Sequence, residues 1–362
     1  MGHIWEGSQV ERAGPPATAE PLEADILIAG AGPAGAALAL ALAGRHRVVM
    51  AGRQPAGAWP HGETLPGAAR AVLRDLGHLA AFEAEAHLPS LGRISAWGGA
   101  EVERTDGFRD PHGAGWRLDR TRFDTGLIDA AIARGCRFEP SGMVENVRRE
   151  NASWRVRFVG GLEVRCRFVV DATGRRAALA RRLGAHQTRL DQLVSVYARL
   201  PQDTKSDLDG FSTVLSQPDG WWYRAALPGN ECLVAFHTDR DLVGTVRASC
   251  HSLTGTPIRQ ERKAAWTGRL SAFGGPSWAA IGDAACSFDP LSSQGLFNAL
   301  HGAIQLSRAI DDGFDIRGYA TGLETVWARF LQHRSAYYSA EQRWNHAPFW
   351  QRRHMPAKHE AT

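Results

Sequence analysis

The chain has 362 residues, 44% hydrophobic and 22% charged, enough to bury the core of one large domain or two interlocked ones. Its net charge of +4 is carried almost wholly by arginine, lysine occurring only at Lys205, Lys263 and Lys358, and no basic run marks a nucleic-acid partner. The five cysteines are scattered and odd in number, no His, Cys and carboxylate cluster has metal-ligand spacing, and no run of eighteen apolar residues could span a membrane.

Residues 1–24 carry acids and prolines where a signal peptide would be continuously apolar, so a flexible extension on a cytoplasmic protein is expected. From Asp25 the run DILIAGAGPAGAALALALAG, followed by RHRVVMAGR, reads as strand, glycine turn, Ala/Leu helix and second strand. Gly30, Gly32 and Gly35 form G-x-G-x-x-G between that strand and helix. Backbone can there approach a pyrophosphate, and the helix N-terminus, with Ala34 in its first turn, can face it. Pro33 suits a position that needs no N–H partner. The acid that ordinarily meets the adenosine ribose after the second strand is absent; Gly52 and Arg53 stand there, which assigns Arg53 to the adenosine end and predicts loose retention of the nucleotide.

The stretch HGETLPGAARAVLRDLGHL leaves the nucleotide fold, with Pro66 placed for a first helical turn. RLDRTRFDTGLIDAAIARG returns to it as a helix whose stripe is Phe123, Leu127, Ile128, Ala131 and Ile132. Alternation at Trp154, Val156 and Phe158, then a turn at Gly160 and Gly161, predicts a hairpin feeding the buried strand of VVDATG, where Asp171 and Gly174 are assigned to the cofactor.

Between about Gly184 and Phe273 the runs LVSVYARL, FSTVLS, WWYRAAL and CLVAFHT predict an antiparallel sheet. IGDAACSFDPLSSQGLFNAL then reads as core strand, turn and helix. Gly282 and Asp283 are assigned to ribityl hydroxyls, and Pro290, Gly295 and Leu296 to a helix end aimed at an anionic reduced flavin. The remainder, ending in RWNHAPFW, is helical and aromatic.

GAGPAG, DATG and GDAACSFDPLSSQGL, in this order, resemble the FAD-dependent aromatic hydroxylase and flavin-dependent halogenase superfamily over nearly the whole chain. GETLP, DRTRFD, GWWYRAALP and RWNHAPFW further resemble the tryptophan-halogenase-like flavoproteins that mature quinone-cofactor oxidases. The resemblance implies an α/β fold with a Rossmann-like FAD-binding domain (25–60, 116–184 and 274–330), an interleaved antiparallel-sheet substrate domain (61–115 and 185–273) and a helical C-terminal segment (331–362). It also implies an arginine on the flavin phosphate, Arg120 or Arg122, and Glu63 near the isoalloxazine face.

His61 and His237 are the first histidines to consider for proton transfer, and Trp221, Trp222 and Tyr223 for stacking an indole or phenol. Halogenases of this kind carry a W-x-W-x-I-P segment and an early lysine. Here Tyr223 and Ala226 break the first and no lysine precedes Lys205, so oxygen transfer is expected over chlorination. The implied activity is hydroxylation, with O2 as co-substrate, of a tryptophan side chain in the precursor of a quinone-cofactor oxidase. The alternatives are a hydroxylase or halogenase of a small or carrier-bound aromatic, a non-catalytic flavin-binding chaperone, or a double-bond reductase. Only one dinucleotide fingerprint is present, so electrons come from transiently bound NAD(P)H or from a separate flavin reductase. The oligomeric state is not legible.

Overall fold

The computed structural model describes residues 20–54, 64–201, 210–229, 231–244 and 259–355. His61 and Glu63 lie outside these residues.

Two sheets organise the molecule. The first has eight strands, and its main path runs Gly274–Gly275, Trp278–Ala280, Glu163–Asp171, Leu22–Ala29, Val48–Gly52, Arg137–Pro140. The pairs from Trp278–Ala280 to Arg137–Pro140 are parallel. Parallel pairing demands crossovers that cover the sheet's faces, and the apolar strand Leu22–Ala29 accordingly ends in four buried residues. It begins three residues inside the stretch expected to be flexible.

Helix Pro33–Leu42 contains only Pro, Ala, Gly and Leu, and Gly35 to Leu42 are all buried. Such small side chains let it pack closely between Gly295–Asp311 and Arg120–Ala133. In the latter helix Phe123, Leu127, Ile128 and Ala131 turn inward as expected, but Ile132 is exposed, because the stripe is complete without it. Pro66 does not enter a helix; its carbonyl accepts from Ala69 N in the turn before Ala69–Asp75.

The second sheet has seven strands in the order Arg259–Ala264, Leu193–Pro201, Glu231–Asp239, Gly220–Leu227, Phe211–Gln217, Gly92–Ala96, Glu103–Asp106. All its pairs are antiparallel except Phe211–Gln217 with Gly92–Ala96.

The C-terminal helices Arg317–Ala340 and Pro348–His354 are part of the core: Tyr338, Phe349 and Trp350 are fully buried and cluster with Trp221 of the second sheet and with Trp97, which follows strand Gly92–Ala96. Cys136, Cys166, Cys232 and Cys286 are free and buried, and burial pushes the thiols of Cys166 and Cys286 up to about 12. Among the described residues no helix is long and apolar enough to cross a membrane, and no group of His, Cys, Asp and Glu could hold a metal ion.

Candidate active site

The three glycines after the first strand do different work. Gly30 has φ +121°, and a Cβ there would sit 2.2 Å from the carbonyl oxygen of Ala172 on the neighbouring crossover; one at Gly35 would sit 2.0 Å from the Gly30 carbonyl. Both are packing glycines that bring helix and strands together. Gly32 is different. A side chain there would meet nothing within 4 Å, and Gly32, Pro33 and Ala34 line the cleft, so the exposed backbone of the turn and the start of the helix face a ligand.

At the adenosine end Arg53 is exposed, while Gly52 is buried against the glycine turn: a Cβ on Gly52 would approach Ala31 N to 2.6 Å. Packing therefore excludes an acid, or any side chain, at position 52. Gly52→Glu is expected to weaken nucleotide binding rather than supply the missing ribose contact, by about tenfold if the turn must yield roughly 1.4 kcal/mol of packing. Titration of the apoprotein with FAD, followed by flavin fluorescence, gives the direction; tighter binding would refute the packing account.

The opposite side of the cleft is built by residues 281–296. Gly282 has φ +61°, and a Cβ on it would lie 2.7 Å from that of Ala34. Asp283 Oδ2 accepts from Arg175 Nη1 at 2.5 Å, and Arg175 Nη2 donates to the Phe288 carbonyl. Arg175 was not anticipated; its only sequence signal is its place directly after the DATG turn. Asp289, 1% exposed, accepts from Leu291 N and shapes the Pro290–Ser292 turn, and Ser293 follows with φ +50°. Helix Gly295–Asp311 then starts with no side-chain cap, and its first residues, Gly295 and Leu296, line the cleft. Its unpaired amides and the positive end of its dipole therefore point where negative charge would be held.

The third wall comes from the second sheet. Strand alternation sends Trp221 and Tyr223 to the cleft and Trp222 to the other face, where it packs with Leu200, Cys232, Val234 and Phe236. Trp222 is thus not part of the aromatic wall. Trp221 sits opposite His237 across the ladder, and the two rings stack at 3.7 Å and 16°. His237 Nδ1 is 2.7 Å from Ser195 Oγ, and the Tyr223 hydroxyl is 3.3 Å from Thr64 Oγ1.

His237 lines the cleft, but burial pushes its pKa down to about 3, so at neutral pH it is a neutral hydrogen-bonding group and not an imidazolium acid. The sign of the linkage follows. A folded pKa below the ordinary 6.5 gives stability that is complete above pH 6.5 and is lost as pH falls toward about 3. His237→Gln is expected to remove one such proton uptake, so that its stability falls less steeply with acid than the parent's, by about 1.4 kcal/mol per pH unit. Denaturant melts between pH 6 and 4 check this; parallel curves would refute it.

Two other expected residues, Asp171 and Arg122, lie away from the cleft. Asp171 is 0% exposed, and its carboxylate accepts from Thr173 N, Thr173 Oγ1, Leu179 N and Ala180 N, so it braces the crossover after its strand and does not meet a ligand. Arg122 donates to the Glu85 carbonyl. Of the two candidate arginines it is Arg120, held by Asp124, that lines the cleft. Gly174, Asp283 and Pro290 also line it; Gly30, Gly35 and Gly282 shape it from behind.

The cleft encloses about 300 Å³, and a second cavity of about 410 Å³ shares Thr64, Trp221, Tyr223, Pro290 and Ser293 with it. Its remaining lining is largely glycine and small polar residues, with Arg93 and Arg109. The site thus pairs a backbone cradle and a helix N-terminus with a ring-stacking wall. The cradle, left open by the exposed backbone of Gly32 to Ala34, fits a dinucleotide. Among the described residues no lysine lines either cavity; Lys263, the one lysine they include, is on strand Arg259–Ala264 and pairs with Glu261.

The tryptophan halogenase family model matches residues 99–362. "Putative FAD-dependent oxidoreductase LodB" of Marinomonas mediterranea is 29% identical over 364 residues, covering 91% of this chain and 96% of that protein. Solved structures that share the fold include the following two. The myxobacterial chondrochloren halogenase CndH superposes with a TM-score of 0.81 at 22% identity, covering 94% of this chain and 88% of that one. The peptidyl tryptophan dihydroxylase QhpG, described as essential for tryptophylquinone cofactor biogenesis, superposes with 0.74 at 25% identity, covering 91% and 78%.

Proposed function

The chain belongs to the tryptophan halogenase family, and from that premise we propose that it is an FAD-dependent monooxygenase that hydroxylates a tryptophan side chain in the precursor of a tryptophylquinone oxidase. The observation that carries this reading is the Gly295 helix end opening into the same cleft as the wall of Trp221 and Tyr223. A site for an anionic flavin then faces a platform for an aromatic ring.

FAD, reduced by NAD(P)H or by a separate flavin reductase, would supply with dioxygen the oxidising equivalent. Each turnover places one oxygen atom on a ring carbon and releases the other as water, consuming two electrons and two protons. The chain's own part is binding and orientation. The Gly32–Ala34 backbone and Arg120 hold the diphosphate, and Arg175 fixes Asp283 toward the ribityl chain. The Gly295 helix end favours negative charge on the flavin ring, and Trp221, Tyr223 and neutral His237 orient the substrate. Buried aromatic walls exclude water.

The similarity to the peptidyl tryptophan dihydroxylase QhpG supports a protein-borne tryptophan, and the second cavity, lined largely by glycine and small polar residues, suits a peptide. The sequence carries no lysine before Lys205, which favours oxygen over halide transfer.

Incubation of the reduced holoenzyme, dioxygen and an unmodified oxidase precursor is expected to add one or two oxygens to a tryptophan. Modification of free indoles or phenols alone would favour the small-aromatic hydroxylase, and bromide or chloride incorporation the halogenase. Loss of activity on removing FAD would exclude a chaperone role.

A further inference from the structure

A chain of buried polar contacts joins the aromatic wall to the flavin-side loop through the C-terminal helix. Trp221 Nε1 donates to the hydroxyl of Tyr338 at 3.3 Å, and that hydroxyl donates to Asp289 Oδ2 at 2.9 Å. The same carboxylate accepts from Arg334 Nε at 3.3 Å and, through Oδ1, from Leu291 N at 3.0 Å. Arg334 Nη2 in turn donates to Asp191, whose other oxygen accepts from Leu193 N, at the start of strand Leu193–Pro201, and from Thr267 N.

Trp221, Tyr338 and Asp289 are each no more than 1% exposed. Trp221 and the Asp289–Ser293 loop belong to different walls of the cleft, 68 residues apart in sequence (289 minus 221), and Tyr338 comes from a third element. No water competes for these contacts, and a hydroxyl that both accepts and donates has no spare geometry.

We propose that Tyr338 is a positioning residue that locks the Trp221 platform to the Asp289–Ser293 loop, so that the aromatic ring and the flavin-facing helix end keep one register. The consequence for catalysis rests on the hydroxylase function proposed above; the linkage itself does not. Tyr338→Phe removes the hydroxyl with little change of volume. Trp221→Phe removes the indole N–H and keeps a ring against His237, so it interrogates the same linkage from its other end.

Hydrogen exchange of the FAD-loaded protein tests the linkage without reference to activity. In Tyr338→Phe the amides of Leu291 and Ser292 are expected to exchange about three- to tenfold faster, the loss expected for one buried hydrogen bond. Trp221→Phe is expected to act in the same direction, and the double variant to be no faster than Tyr338→Phe alone. An unchanged loop in Tyr338→Phe, independent multiplication of the two effects, or faster exchange spread evenly along Arg317–Ala340 would overturn the proposal. On the precursor substrate, Tyr338→Phe should also lower the oxygenated tryptophan formed per dioxygen consumed. A parent enzyme that oxygenates no tryptophan would defeat the hydroxylase function alone, the exchange cycle still deciding the linkage.

Discussion

Gly30→Ala is expected to yield a folded protein that purifies without FAD. Its φ of +121° is costly for any residue with a side chain, and the new Cβ would lie 2.2 Å from the Ala172 carbonyl, a backbone atom that cannot rotate away. The turn must therefore move off the strand, and the next residues to move are Gly32 to Ala34, which line the cleft. With strain and overpacking together of roughly 3 kcal/mol, cofactor affinity should fall about a hundredfold. Flavin released by denaturing the purified variant, measured against protein concentration, checks it; stoichiometric flavin would show that the turn does not form the cradle.

Asp239→Asn should produce the largest loss of stability. Asp239 closes the strand Glu231–Asp239, two residues past His237, and is 2% exposed. It accepts both Nη groups of Arg353, at 2.8 and 3.1 Å, and Arg352 Nη1 at 2.9 Å. Arg353 is itself 5% exposed and lies 3.5 Å over the Phe349 ring. Neutralising the carboxylate strands a buried guanidinium, which costs about 3–5 kcal/mol and should lower Tm by roughly 4–7 °C. Acid should act in the same direction. Burial alone would raise the Asp239 pKa, but Arg353 and Arg352 hold it below the ordinary 3.8; its contribution is whole above that value and is lost as pH falls through the lower folded one. A Tm within a degree or two of the parent's would contradict the claim that the C-terminal helices are part of the core.

Both variants show what a sequence can and cannot reveal. The glycine turn and the PLSSQG segment are legible because their chemistry lies in the backbone: φ values that only some residues adopt and helix ends whose amides need no particular side chain. The strand runs of both sheets are legible for a related reason, since alternation and apolar runs are local.

Side-chain direction is harder. Alternation says that Trp221 and Trp222 face opposite ways, yet only the packed sheet shows that Trp221 takes the cleft. Asp171 ends a strand beside a cofactor turn, as a ligand would, but four donors within nine residues claim its carboxylate. The Arg175–Asp283 pair spans 108 residues and the Asp239–Arg353 pair 114, and no local pattern announces either. The C-terminal segment reads as helical and aromatic, but not as core, for the same reason: its partners, Trp97 and Trp221, are more than a hundred residues away.

The most direct test of the central claim uses isotopically labelled dioxygen. The reduced holoenzyme is mixed with the unmodified oxidase precursor under the labelled gas, and the precursor is digested and mapped by tandem mass spectrometry. Label on the ring of a single tryptophan, absent when FAD is withheld, is the predicted result. Unlabelled tryptophan under conditions in which the flavin turns over would contradict it.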